Sequence, residues 1–370
     1  MLQGTGGGVI SSQVLGVIQD LFDARGRAKA MGAYGVVGGL AGLGGPLLGA
    51  LLVTVLPLSL GWRAVVIVSA PLAALTLAFG ARHLPRSAPA RALRNDAVDG
   101  APAPARAGID LLGLALLAAA TVSLVLPFVQ PGLTRAASAG LVAGAVAVLA
   151  LFTAWERHAG HADPGAVILP PVLARAPGFV TGTLVSTFWF GAQLAQQAVV
   201  TLYLLDTLRV PPLLVAVVAL PSSAAGALTA AVSWRIVARY GTRVISVALA
   251  LQVLLTATVA LVLPGLTTDT AVPLLLVVNA LSGVASGFID SQNRAQTLQH
   301  SPDASRGVAA GFLQLAQRLS STVCIAAATG IALTSAPAQP SPQGLELALG
   351  LCATLVTVSV LISLRRRTGD

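Results

Sequence analysis

The stretch from Gly32 to Val55, GAYGVVGGLAGLGGPLLGALLVTV, runs for 24 residues without a charge. A helix needs about 20 apolar residues to cross a bilayer, so this segment can span one. Its glycines fit that reading. Gly35, Gly38, Gly42, Gly45 and Gly49 recur at three- and four-residue spacing, and such a stripe of small residues lets a second helix approach closely. Pro46 removes one helical hydrogen bond and permits a kink.

Similar runs fill the chain on either side. Bounded by charge, Pro and Gly, they cover 2–21, 32–55, 63–82, 109–129, 138–156, 178–205, 212–234, 244–263, 272–293, 307–333 and 345–364. The whole chain is 55% hydrophobic and 9% charged, with mean hydropathy +0.84, where soluble domains carry about 25% charged residues. The expected fold is an all-α polytopic membrane protein with about 11 transmembrane helices, in contact with a lipid bilayer. The net charge of +9 sits in short clusters between apolar runs, a topology signal and not a nucleic-acid face.

Sidedness follows from those clusters. With the 20–31 loop inside and alternation thereafter, 18 Arg and Lys residues fall on the cytoplasmic side. Only Arg63, Arg135 and Arg209 fall outside, and Arg318 lies within a span. One orientation satisfies the positive-inside rule. It places the C-terminus in the cytoplasm, in a cell (inner or plasma) membrane, and Met1 outside. The Leu2–Leu21 run lacks the basic flank of a cleavable signal. An external start on an odd number of spans carries the expectation that a preceding segment is missing.

Five regions are expected: 1–82 with three spans, a cytoplasmic linker at 83–107 rich in Ala, Pro and Arg, a helix pair at 108–156, a cytoplasmic loop at 157–177, and a six-helix half at 178–370. Gly4, Gly8, Ile10, Ser12 and Gln13 recur with the same spacing as Gly283, Gly287, Ile289, Ser291 and Gln292. Parallel repeats of this kind build the two halves of many secondary transporters. Cys324 and Cys352 lie in apolar runs and give no disulfide or metal spacing. His158, His161 and Asp163 read as a solvated loop, not a metal site. No HExxH, GxSxG or P-loop stands in the chain. An enzyme, a cofactor and an obligatory protein partner are therefore not expected.

With these residues in place, the chain resembles the major facilitator superfamily, in its fourteen-span drug:proton antiporter branch, over essentially its whole length. Gly32, Ala41, Gly45-Pro46 and Gly49 match that branch's antiporter motif, with Ala41 where the motif has glycine. Leu2-Gln3-Gly4, Gly61-Trp62-Arg63 with Pro71, Trp155-Glu156-Arg157, and Arg306-Gly307 with Arg318 resemble its fourth, sixth, eighth and thirteenth spans. Trp234 to Arg243 resembles the second-half copy of its cytoplasmic loop motif, with Trp234 in place of glycine and Ala238 in place of aspartate. The resemblance implies a major-facilitator-type helical bundle that lacks the first three spans, with the motif helix as a bending element that blocks leak. It also implies that the family's usual deep acid lies on a span outside this sequence.

An ionisable group near a cavity is what proton exchange requires. Asp290 and Asp20 are the candidate carboxylates, and Arg318, deep in an apolar run, is expected to face a cavity or an acid. Trp189, Gln193 and Gln197 share a helical face, and an aromatic beside amides suits an amphipathic ligand. Gln13, Asn279 and Gln314 are further cavity candidates. The function expected is proton-coupled export of small amphipathic organic compounds, of the multidrug or antibiotic efflux type. Export of an endogenous metabolite, and a truncated, transport-inactive fragment of such a transporter, stand as alternatives.

Overall fold

The computed structural model describes residues 24–83, 110–130, 132–162, 167–241, 243–302, 305–333 and 340–365, with isolated positions between 6 and 22. Most of the first expected span, the 83–107 linker beyond His83, Gln13 and Asp20 lie outside the described residues.

The described chain is helical: α1 (Ala24–Val55), α2 (Leu58–Ile67), α3 (Ser69–His83), α4 (Leu111–Val129), α5 (Arg135–Ala162), α6 (Pro171–Ala174), α7 (Pro177–Leu202), α8 (Pro212–Tyr240), α9 (Arg243–Val262), α10 (Thr268–Gln299), α11 (Arg306–Ala332) and α12 (Pro342–Arg365). Among the described residues, eight segments are long and apolar enough to cross a membrane. The helices α7 and α11, of 26 and 27 residues, have the length but are more polar. They pack against each other and against α12, and Ser186, Gln196, Gln314 and Gln317 among their polar side chains are buried.

The run expected at 63–82 begins earlier, at Leu58, and breaks at Val68. Pro71 has no N–H for the Ile67 carbonyl, and the Ser69 hydroxyl donates to the Val66 carbonyl at 2.7 Å. Sequence reading missed this break because both halves are apolar and uninterrupted by charge between Arg63 and Arg82.

Two acids fix α5, one to α4 and one to the segment that follows it. Asp110 caps α4, accepting from the Gly113 N–H at 2.7 Å and from the Trp155 indole of α5 at 3.1 Å. The buried Glu156 accepts the backbone N–H groups of Ile168 and Leu169, both at 3.1 Å, and so pins the segment leading into α6 and α7.

The central helix is α7, flanked by α10 on one side and by α11 and α12 on the other. α9 packs between α10 and α12, and α8 lies between α10 and α1. The α1–α8 seam is closer than the sequence indicated and uses a different face. Gly32, Gly35, Gly39 and Gly42 meet α8 at Ala230, Ala227 and Ser223, while Gly38, Gly45 and Gly49 have no atom within 4 Å of a built Cβ. At 100° per residue Gly38, Gly45 and Gly49 lie about 40–80° around the helix from Gly35, at the edge of the seam. Gly287 of α10 crosses Gly226 of α8 equally closely, with a built Cβ 2.6 Å from the Gly226 carbonyl oxygen.

Candidate functional site

These crossings leave one half of the bundle open. A cavity of about 750 Å³ is lined by α1, α2, α7, α8, α9 and α10. Its wall takes residues 42–53 of α1, 193–205 of α7 and the π-turn after it, 212–223 of α8 and 275–282 of α10. All these stretches lie toward the end of the bundle that carries Val55, Tyr203 and Pro212. The opposite half, toward Tyr240 and Gln299, is the one in which Gly32, Gly35 and Gly39 close α1 against α8.

Pro46 and Gly49 come from α1, and Gln193, Gln197 and Asn279 face them from α7 and α10. The structure thus brings together five of the residues singled out in the sequence. The amides are held by neighbours. Asn279 donates to the Val218 carbonyl at 2.8 Å, and Gln196 accepts from Thr256 at 2.7 Å. Gln193 donates to Ser282 at 3.5 Å, and Ser282 donates to Gln252 at 2.9 Å. The Gln193 Oε1 is buried and has no hydrogen-bond partner among the described residues. Apolar side chains, among them Val53, Val65, Val215 and Leu275, complete the wall, the mixture that suits an amphipathic guest. A second groove of about 640 Å³, between α4, α5 and α11, is almost wholly apolar, with Phe128, Val142 and Ile331 in its wall.

Other sequence candidates lie off the cavity. Trp189, one turn below Gln193 on α7, is 3% exposed and packs edge-on to Phe190 at 6.3 Å. It falls in the closed half, below the cavity floor. Gln314 is buried in α11, away from the lining. Gly32 sits in the α1–α8 seam, 3.4 Å from the Ala230 carbonyl oxygen at a built Cβ, and Gly45 has open space. Arg318 is exposed on α11 and pairs with no carboxylate among the described residues. Asp290 pairs with Arg294 one turn on, at 2.8 Å, the arginine side chain 7% exposed and the carboxylate 34%.

Ser222, Ser223 and Ser282 also line the cavity and were not singled out from sequence. Pro221 ahead of the two α8 serines was the available signal, since a mid-helix proline frees a carbonyl and marks irregular packing.

A family model described as "Major Facilitator Superfamily" matches residues 1–325. The chain is 22% identical over 320 residues to "Riboflavin transporter RibZ" of Clostridioides difficile (strain 630), covering 86% of this chain and 64% of that protein. It is 29% identical over 192 residues to "Probable actinorhodin transporter" of Streptomyces coelicolor, covering 51% and 30%. Over 83 residues it is 39% identical to "Multidrug transporter protein MdtP" of Bacillus subtilis, covering 22% and 15%. The chain therefore spans less than two thirds of the length of these curated relatives.

Proposed function

This chain belongs to the major facilitator superfamily, a family of transporters and not of enzymes, and from that premise we propose that it exports small amphipathic organic compounds in exchange for protons. The observation that carries the proposal is the cavity that sets Pro46 and Gly49 of the antiporter motif opposite Gln193, Gln197 and Asn279. A guest would lay its apolar surface on Val53, Val215 and Leu275 and its polar edge on the amides. The names of the relatives, which speak of riboflavin, actinorhodin and multidrug transport, support an organic cargo.

In this reading α1 and α8 part along their glycine seam to expose the guest to the other side. Alternation between two closed-off states is how a secondary transporter moves cargo around a fixed central site. Asp290, partly exposed beside Arg294, is the carboxylate that takes the proton, and the C-terminus lies in the cytoplasm of a plasma-membrane protein.

The test is uptake of a fluorescent amphipathic dye into everted membrane vesicles energised to an acid interior. Dye should accumulate, collapse on addition of a protonophore, and fall at least tenfold in Gln193→Leu with Gln197→Leu. Accumulation equal to that of vesicles without the chain refutes the proposal.

A further inference from the structure

Six buried side-chain polar atoms have no hydrogen-bond partner among the described residues: Thr183 Oγ1, Trp189 Nε1, Gln193 Oε1, Gln252 Nε2, Gln317 Oε1 and Arg294 Nη1. Buried polar atoms are normally partnered, by protein or by ordered water. These six are not scattered.

On α7, Gln193, Trp189, Ser186 and Gly182 follow one another at spacings of four, three and four. At 100° per residue they fall within about 60° of one another, on a single stripe about 16 Å long. Three of its four positions are hydrogen-bonded to a neighbouring helix. At the top, Gln193 reaches Gln252 through Ser282. In the middle, Gln317 of α11 donates to Ser186, three residues before Trp189, at 2.6 Å, and the Gln317 Oε1 has no partner among the described residues. At the bottom, Asn293 of α10 donates to the Gly182 carbonyl at 2.9 Å, and the next residue is Arg294, paired to Asp290. Thr183, whose buried Oγ1 has no partner among the described residues, follows Gly182 in the chain.

The side chains in question are deeply buried: Trp189 is 3% exposed, Thr183 6% and Gln317 0%. Both donors and acceptors are present: indole, guanidinium and amide N–H groups with amide and hydroxyl oxygens. A buried water typically makes two to four such bonds.

We propose that a file of ordered water molecules runs along this stripe between α7, α10 and α11, joining the cavity floor at Gln193 to the Asp290–Arg294 pair. The file crosses the half of the bundle that the glycine seam closes to larger guests. Its use as a proton route to Asp290 rests on the proton-exchange reading above, whereas the presence of the waters does not.

The experiment is X-ray radiolytic labelling of the full chain in lipid nanodiscs, with rapid mixing into H₂¹⁸O, because hydroxyl radicals form where ordered water sits. After correction for intrinsic reactivity, Trp189 should label within about tenfold of the exposed Trp62. Phe179, buried beside Phe312, should stay at background. Gln317→Leu should lower Trp189 labelling by tenfold or more and leave Trp62 unchanged. The wild-type comparison stands by itself if that variant fails to fold. Trp189 at the Phe179 level overturns the proposal, whatever the transport assay shows. Labelled Trp189 with cargo transport that ignores protons supports the water file and removes the proton-exchange reading alone.

Discussion

The α1–α8 seam gives the sharpest mechanical test. At Gly39 a built Cβ meets the Ala227 Cβ, with the Ala227 Cα at 3.0 Å and the Ser223 carbonyl oxygen at 3.1 Å. The obstructing atoms are backbone and a methyl group, which have no rotamer to turn away, so Gly39→Val must force the two helices apart. Overpacking of this kind costs about 1–3 kcal/mol. The cost falls on the state in which α1 and α8 touch, and a state in which they have parted escapes it. The equilibrium between the two should therefore move by about 5- to 150-fold. Gly38 is the internal control, because nothing lies within 4 Å of its built Cβ. The assay is maleimide labelling of a single cysteine at Ala230, a buried position that α1 covers at Gly32 and Gly35, with Cys324 and Cys352 replaced by alanine. Gly39→Val should raise the labelling rate by that factor and Gly38→Val should not. Equal rates in the two variants would refute the idea that this seam holds the half shut.

Three further outcomes follow from the geometry. Glu156→Leu strands the N–H groups of Ile168 and Leu169. At about 1–3 kcal/mol for each buried unsatisfied group, its thermal unfolding in detergent should fall well below wild type, with Glu156→Gln in between. Trp155→Phe removes the indole bond to Asp110 and should cost less than Glu156→Leu in the same scan, about 1.5–3 kcal/mol for a bond to a charged acceptor. Arg318→Gln, at an exposed position with no acid paired to it among the described residues, should shift stability by no more than about 0.5 kcal/mol; a larger loss would show a partner for the guanidinium.

Much of the bundle could be read from the sequence, because long charge-free runs have one stable solution in lipid, the helix. The amides of α7 were visible for the same reason: Gln193 and Gln197 interrupt an apolar face one turn apart. What escaped depended on tertiary position. Trp189 shares their face but lies a turn lower, and only the crossing of α8 and α10 at Gly226 and Gly287 shows that the cavity has ended by then. Gly39 was passed over in favour of Gly38, since two adjacent glycines look alike until the partner helix is in place. Ser222, Ser223 and Ser282 converge from separate helices, and no local pattern announces such a meeting. Gln317 and Ser186 likewise stand 131 residues apart.

Proton exchange for an organic guest is the central claim, and it is tested most directly in proteoliposomes that enclose the pH dye pyranine. With the interior set acid, addition of an amphipathic dye outside should start proton efflux as the guest enters. Asp290→Asn should abolish the efflux while the guest still binds. Guest entry with no change in pyranine signal, or a signal unaffected by Asp290→Asn, would contradict the account.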